Sequence, residues 1–475
     1  PVHPAYDPNG FPMDEGEVEQ MENGGKQNSQ KDFYTNQLQL VFEPIKNWKI
    51  NLDGSVRTTT QYQHWEVLPV YAYNVAGDPY YTVWDMGYGS YAAGSSRVNE
   101  YSWKENYYTT NIYSDYFKQF DNGHYFKVMA GFNAELYKTR NITAEKNTLI
   151  TPGVPTINTA TDDPQAYGGY ADNSVAGFFA RVNWSYKDRY MFEANGRYDG
   201  SSRFVGKERW GFFPSFSLGW NAHEEEFLKD KTPFEQLKVR MGWGQVGNEA
   251  SAAQFGYISL MNSSYRAVIG DQLQQGEIQR TFANSELAWE TAEQVNFGID
   301  FGTLNMRLTG TIDYFVRTTK DMILRTPIPL YVGMGRANTN AGSMRNKGLE
   351  VTLRWNDKIG KDFSYSISAN ASFVKNKVLS LGSPDPIYGG GVARKAENFT
   401  RTEVGREMAY FYGYKTDGIF QNWDEINNYK TPDGQLIQPN AAPGDVKFLK
   451  TANDGLPLIV PTWVAACQML HLAST

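Results

Sequence analysis

Long runs in which apolar and polar residues alternate one by one constrain this sequence most. From Met306 to Arg317, apolar residues or glycine occupy the even positions, and mostly polar or charged residues the odd ones. Because successive side chains of a strand point to opposite faces, this period of two predicts a strand with one apolar and one polar face. Strands of soluble sheets usually have about five or six residues. Runs as long as these suit a bilayer-spanning strand, which needs about 9–11 residues.

The predicted strands are joined by short turns that alternate with long connections. The strand pairs lie at 33–43 with 48–62, 106–120 with 124–138, 174–186 with 189–201, 291–301 with 304–318 and 345–356 with 363–376. Long connections are predicted at 63–105, 139–173, 248–290 and 319–344. Two segments depart from this rhythm: 202–208 is short, and 223–236 is acidic and helix-like where a turn is expected. Short periplasmic turns alternating with long extracellular loops are typical of an outer-membrane barrel.

The sequence therefore predicts an all-β fold, a large antiparallel transmembrane β-barrel of which this chain carries about 13 or 14 strands. Its apolar face would meet lipid. Tryptophans near strand ends would lie in the interfacial girdles, or else be core aromatics of a soluble β-protein. These are Trp48, Trp184, Trp220, Trp289 and Trp355. The polar face would line the lumen with Lys49, Asp53, Arg307, Asp313 and Arg317.

Composition excludes several other classes of protein. A net charge of −7 without a basic patch argues against nucleic-acid binding. A single cysteine excludes a disulfide framework and a cysteine-based zinc site. Aromatic residues make up 15% of the chain and charged residues 20%, which does not fit a disordered polypeptide.

Side chains with potential chemistry have simpler explanations. Glu224, Glu225 and Glu226 fit the start of a short solvated helix, where acids favour the positive end. Asp162 and Asp163, which precede Pro164, indicate a loop turn rather than a metal site. The histidines at 64, 124 and 223 have no partner four residues away, which disfavours metal ligation. We predict no catalytic residue, no metal site and no cofactor.

Six segments occur in an order and spacing that resemble a known family. They are 197–204 (RYDGSSRF), 209–220 (RWGFFPSFSLGW), 237–248 (LKVRMGWGQVGN), 289–294 (WETAEQ), 340–350 (NAGSMRNKGLE) and 414–420 (YKTDGIF). Together they resemble the SusC/RagA-type TonB-dependent outer-membrane transporters of Bacteroidota, from about residue 30 to residue 450. The resemblance implies a plugged barrel of roughly 22 strands, a TonB box that contacts the TonB complex, and a SusD-like surface lipoprotein over the pore. The imported ligand would be an oligosaccharide or a peptide, and no covalent bond would change.

The ends of the chain depart from the family pattern. No plug and no TonB box are recognisable, and the family would continue into further strands. We therefore expect residues 1–455 to be a partial TonB-dependent receptor barrel and residues 456–475 to be an atypical tail, the product of a truncated or frameshifted gene.

An aromatic-rich connection at 63–105 holds the candidate ligand contacts. Sugar rings stack on aromatic faces, and Tyr or Trp adds a hydrogen-bonding group. The candidates are Trp65, Tyr80, Tyr81 and Trp84, and the alternative is that they pack the loop against itself or against the lipoprotein. The predicted function is TonB-dependent import of an oligosaccharide. The alternatives are a secreted soluble glycan-degrading enzyme, or import of a peptide rather than a glycan. A further hypothesis is an adhesive surface protein, which would show repeats.

Overall fold

A computed structural model describes residues 6, 9–12, 18–73, 79–82, 96–229, 231–279, 281–326, 331, 333–389, 399–413, 415–449 and 472–473. These residues form two compact units. The first lies within Pro1–Tyr116, Met129–Phe179 and Asp199–Ser202, and the second within Phe117–Val128, Ala180–Tyr198 and Arg203–Thr475.

Twelve long strands make up the main sheet, in which each is hydrogen-bonded to the one before it in the chain. They are β1 (Gln27–Ile45), β2 (Trp48–Val67), β3 (Arg97–Gln119), β4 (His124–Leu149), β5 (Ala160–Tyr186), β6 (Tyr190–Ser201), β7 (Trp210–Asn221), β8 (Phe234–Asn248), β9 (Glu290–Thr303), β10 (Leu308–Thr326), β11 (Ala337–Ile359) and β12 (Phe363–Leu381). The two-residue strand Leu472–Ala473 pairs with β12 and completes a 13-stranded sheet. The predicted all-β fold, its antiparallel hairpins and its approximate strand number are confirmed.

Short turns join the strands of each predicted hairpin. Lys187 and Asp188, at φ 48° and 54°, form the tight turn between β5 and β6, as their positions in the sequence predict. The turn predicted at Gly302 and Thr303 is wrong, because both residues belong to β9. The chain reverses instead at 304–307, where Leu304, Asn305 and Met306 all adopt positive φ.

Several predicted long connections are shorter than expected. The connection predicted at 139–173 is wrong, because β4 and β5 extend over most of it and leave only 150–159 between them. Thr139 Oγ1 donates to the Ala171 carbonyl at 3.2 Å, and Ile150 N donates to the Thr159 carbonyl at 2.8 Å. Likewise, the connection between β2 and β3 is 68–96 rather than 63–105. The connection between β10 and β11 is 327–336 rather than 319–344. The connection predicted at 248–290 is confirmed at 249–289 and contains its own hairpin, Met261–Ile269 with Gln272–Gln279.

Two acidic segments also differ from their predicted structures. Asp162 and Asp163 lie within β5 rather than in a loop turn, and Asp163 Oδ2 accepts from Gln165 Nε2 at 2.7 Å. The segment after β7 is a 3-10 helix, Ala222–Glu224, followed by turns. The prediction that Glu225 is solvated is wrong: the residue is only 8% exposed.

The chain after β12 forms smaller elements. Ile387–Gly389, Thr400–Thr402 and Tyr410–Phe411 make a three-stranded sheet, and Thr416–Ile419 pairs with Val446–Phe448. The α-helix α2 (Trp423–Asn428) also lies here, whereas α1 (Val18–Asn23) precedes β1; these are the two α-helices among the described residues. Phe420 is buried against Ile426 of α2. None of the described helices is long and apolar enough to cross a membrane. Apart from residues 472 and 473, the predicted tail 456–475 lies outside the described residues.

Candidate functional site

One face of strands β8–β12 carries large apolar side chains in register. Met241 lies opposite Phe297, Phe297 opposite Tyr314, Tyr314 opposite Leu349, and Leu349 opposite Phe373. All five side chains are exposed. A row of exposed apolar residues across five strands is the surface that a barrel presents to lipid. We call this face the apolar face and the opposite one the polar face.

The next row on the polar face contains an ion-pair network. Arg240 of β8 donates to Asp300 of β9 through two hydrogen bonds, Nε to Oδ2 at 2.7 Å and Nη2 to Oδ1 at 2.8 Å. Its Nη2 also lies 3.1 Å from Asp313 Oδ1 of β10. The planar guanidinium, with its fork of donors, suits two carboxylates from neighbouring strands. Arg240 thereby offsets part of the negative charge of two carboxylates on this face.

A glycine makes this network possible. Gly298 lies in register between Arg240 and Asp313. A Cβ atom at Gly298 would collide with Asp313 Oδ1 and lie 2.8 Å from Arg240 Cζ. The guanidinium therefore reaches Asp313 across the space that the missing side chain leaves.

The residues predicted to line the lumen lie in different places. Asp313 and Arg317 are strand residues of β10, Arg317 in register with Gln294. Lys49 and Asp53 are strand residues of β2. Arg307 is not on a strand: it lies in the turn after β9, where its Nη1 is 3.3 Å from Asp357 Oδ2.

Four of the five predicted girdle tryptophans lie at the short-turn ends of strands. These are Trp48, Trp184, Trp220 and Trp355, and their indole nitrogens donate to Ser114 Oγ, His124 Nδ1, Glu225 Oε1 and the Tyr365 hydroxyl, respectively. Trp289 differs, because it lies directly before β9, away from the short turn, and packs against the buried cluster of Phe204, Ala252 and Leu287. It fits the alternative of a core aromatic.

Glu225 joins the start of β6 and the end of β7 beside the 3-10 helix. Its carboxylate accepts from the Tyr190 hydroxyl at 2.5 Å and from Trp220 Nε1 at 3.1 Å, and Arg189 Nη1 lies 3.3 Å away. The hydrogen bonds from Tyr190 and Trp220, with the charge of Arg189, hold the pKa of Glu225 below its usual value. The sequence gives no signal for this contact, since nothing in a run of three glutamates marks the middle one as buried.

The predicted ligand contacts are placed only in part. Tyr80 and Tyr81 lie in the short strand Pro79–Thr82, which pairs with Val70–Tyr73, and Trp84 lies outside the described residues. Trp65 lies near the end of β2 and is half-buried. With the Asn99 carboxamide turned so that its nitrogen donates to Glu145 Oε2 at 2.7 Å, its oxygen accepts from Trp65 Nε1 at 2.9 Å. The indole N–H is therefore engaged at the base of the loop.

Buried polar residues at this base were not singled out from the sequence. Asn99 and Val98 are fully buried, and Arg97 Nη1 lies 3.1 Å from Glu145 Oε1. Ser96 accepts from Thr148 N through its carbonyl and from Leu149 N through its hydroxyl. These contacts fix the start of β3 against the end of β4. In the described part of the chain, no group of three or more His, Cys, Asp and Glu residues is placed to hold a metal ion.

Comparison with known proteins agrees with this architecture. The family model described as TonB dependent receptor-like, beta-barrel matches residues 4–441. The chain is 32% identical over 375 residues to TonB-dependent receptor SusC of Bacteroides thetaiotaomicron, covering 74% of this chain and 36% of that protein. It is also 32% identical over 385 residues to TonB-dependent receptor P39 of Formosa agariphila, covering 76% and 34%. The chain thus spans about a third of the length of the curated relatives it matches.

Solved structures show the same fold. The RagAB peptide transporter superposes with a TM-score of 0.73 at 18% identity, over 93% of this chain and 45% of that one. The match in sequence covers most of the chain and includes the segments from which the resemblance was inferred. The chain belongs to the TonB-dependent receptor β-barrel family and is an outer-membrane protein.

Proposed function

We propose that the protein takes part in TonB-dependent import of an oligosaccharide across the outer membrane. The family match supports a transporter rather than the alternative of a secreted hydrolase. In such a barrel the polar face lines the lumen and the apolar face meets lipid.

The polar face carries the observation that favours a neutral cargo. Arg240 binds both Asp300 and Asp313 and so offsets part of their negative charge. Amide side chains stand beside them: Gln294 Nε2 donates to Asn296 Oδ1 at 2.8 Å, and Asn376 Nδ2 to Asn346 Oδ1 at 2.6 Å. Amides and partly offset charges offer donors and acceptors with a weaker field than unpaired carboxylates would have. They therefore suit the hydroxyl groups of an oligosaccharide.

The second candidate cargo is a peptide. It is favoured by the structural likeness to RagAB, which is described as a peptide importer. For either cargo, the partners that we propose are a SusD-like surface lipoprotein at the long connections and the TonB complex. The aromatic connection after β2 would contact the cargo or the lipoprotein through Tyr80, Tyr81 and Trp84.

The two cargoes are distinguished by uptake in cells from which the gene for this protein is deleted. We expect loss of uptake of at least one fluorescent oligosaccharide from a panel, with peptide uptake unchanged, and restoration by the wild-type gene. Loss of peptide uptake alone would establish the second candidate. Affinity purification of the protein from detergent-extracted outer membranes tests whether a lipoprotein partner is bound to it. Extraction of the protein without detergent would contradict the membrane location.

A further inference from the structure

Four cations interrupt the apolar face of β11 and β12. Arg345 lies opposite Lys377, and Lys347 lies opposite Lys375. Residues two apart in a strand share a face, so all four lie on the apolar face. The pair next to them is Leu349 with Phe373, so the change from apolar to cationic occurs within one row. We call these four residues the cationic quartet.

The quartet brings four positive charges together on two neighbouring strands. Its three lysines are exposed, and Arg345 is half-buried with its Nε donating to Thr318 Oγ1 at 3.2 Å. Like charges directly opposite one another destabilise an antiparallel pair. Among the described residues, none of the four forms an ion pair with a carboxylate. Glu293, which shares this face, is paired with Lys320 instead.

The position of the quartet indicates what neutralises it. It lies toward the connection 327–336 and away from the short turn at 360–362. Since short turns of outer-membrane barrels are periplasmic, the quartet lies at the extracellular border of the lipid-facing surface. Lipid headgroups occupy this level of the membrane, and phosphate is their anionic group that pairs best with lysine and arginine.

We propose that the cationic quartet binds the phosphate groups of lipid headgroups with a net negative charge in the outer leaflet. One phosphate placed between Lys347 and Lys375 accepts from both ammonium groups and removes their repulsion. A second is placed in the same way between Arg345 and Lys377. This inference rests on the outer-membrane location of the barrel and not on the identity of its cargo.

The test compares lipid binding by two double variants of the purified protein. The probe is diphosphoryl lipid A in detergent micelles, measured by native mass spectrometry, with phosphatidylcholine and inorganic phosphate as separate additions. We expect Lys347→Gln with Lys375→Gln to weaken lipid A binding about 25-fold, since each lysine beside an anionic surface contributes about fivefold. The matched control is Lys358→Gln with Lys361→Gln, at the short-turn end of the same strands, and should bind as the wild type does.

A second readout separates lipid binding from folding. In lipid-free micelles the Lys347 and Lys375 double variant should unfold at a temperature no lower than the wild type, because a repulsion is removed. With lipid A present, the double variant should unfold at a lower temperature than the wild type. Equal lipid A binding by variant and wild type would overturn the proposal, as would equally tight binding of inorganic phosphate or phosphatidylcholine. If the double variant fails to fold, Lys377→Gln alone is tested against the same outcomes.

Discussion

The guanidinium of Arg240 donates two parallel hydrogen bonds to Asp300, from Nε and Nη2, and its Nη2 also donates to Asp313. The bond to Asp300 is bidentate and the contact with Asp313 is single. We expect Asp300→Asn to destabilise the protein more than Asp313→Asn, with the larger effect about 1–2 kcal/mol because all three side chains are partly solvated. Thermal unfolding in detergent, detected by the change in gel mobility, measures which of the two variants is less stable. Equal effects would show that Arg240 does not distinguish the two carboxylates.

A methyl group at Gly298 should weaken the contact between Arg240 and Asp313. Gly298→Ala forces Arg240 away from Asp313, since the new Cβ would lie 2.8 Å from Arg240 Cζ. We expect a loss of about 0.5–1.5 kcal/mol, the usual net contribution of one hydrogen bond. The control is Gly54→Ala in β2, where an added Cβ meets nothing within 4 Å. Equal unfolding temperatures for the two variants would contradict the requirement for glycine at 298.

The segment 237–248 contains a second close approach. A Cβ at Gly247 would collide with the ring of Phe213, which also makes an edge contact with Trp289. Gly247→Ala should therefore cost about 1–3 kcal/mol. Adding Phe213→Leu, which shortens the opposing ring, should recover part of that loss, so the two changes are not additive. An additive double-mutant cycle would rule out this contact as the cause.

Glu225 gives the turn after β7 a pH dependence. Because the pKa of Glu225 is lowered in the folded protein, its stabilising effect is complete above its unfolded value of about 4.3 and is lost as the pH falls through the folded value. We expect Glu225→Gln to lower the unfolding temperature at pH 7 and to lose its effect at strongly acidic pH. Fluorescence of Trp220 reports the contact, and the exposed neighbour provides the control Glu226→Gln. A difference that persists unchanged at low pH would exclude ionisation as the cause.

Trp65 should stabilise the base of the connection after β2, whereas Tyr80, Tyr81 and Trp84 should contribute to cargo uptake. Trp65→Phe removes the donor to the buried Asn99 oxygen, at a cost of about 1–3 kcal/mol. Limited proteolysis of the connection 68–96 measures this loss, and Trp103→Phe in β3 is the control.

Alanine at Tyr80, Tyr81 or Trp84 should instead reduce cargo uptake in cells with assembly unchanged. Normal uptake in all three variants would remove these residues as cargo contacts.

Strand alternation predicted the parts of the fold that lie within the bilayer. The row from Met241 to Phe373 follows from apolar residues at every second position, and tight turns such as Lys187 and Asp188 lie between such runs. Outside the bilayer both strand faces meet water, so the alternation disappears. This is why 139–149 and 160–173 suggested a loop although they are strand.

The candidate site was harder to predict because it depends on register between strands. Arg240 and Asp313 are distant in sequence, and only the alignment of three strands at Gly298 brings them together. The same holds for Trp65 and Asn99, which meet through the pairing of β2 and β3. Neither contact has a local sequence signature.

The height of the apolar face has a consequence for sorting among membranes. On β10 it runs from Leu308 to Val316, about 27 Å along the strand and about 20 Å along the bilayer normal at the usual tilt. A hydrocarbon layer thicker than this would force Leu308 and its neighbours out of contact with acyl chains or compress the lipid around them. The chain is thus matched to a thin bilayer, and hydrophobic mismatch alone would disfavour it in a sterol-thickened one.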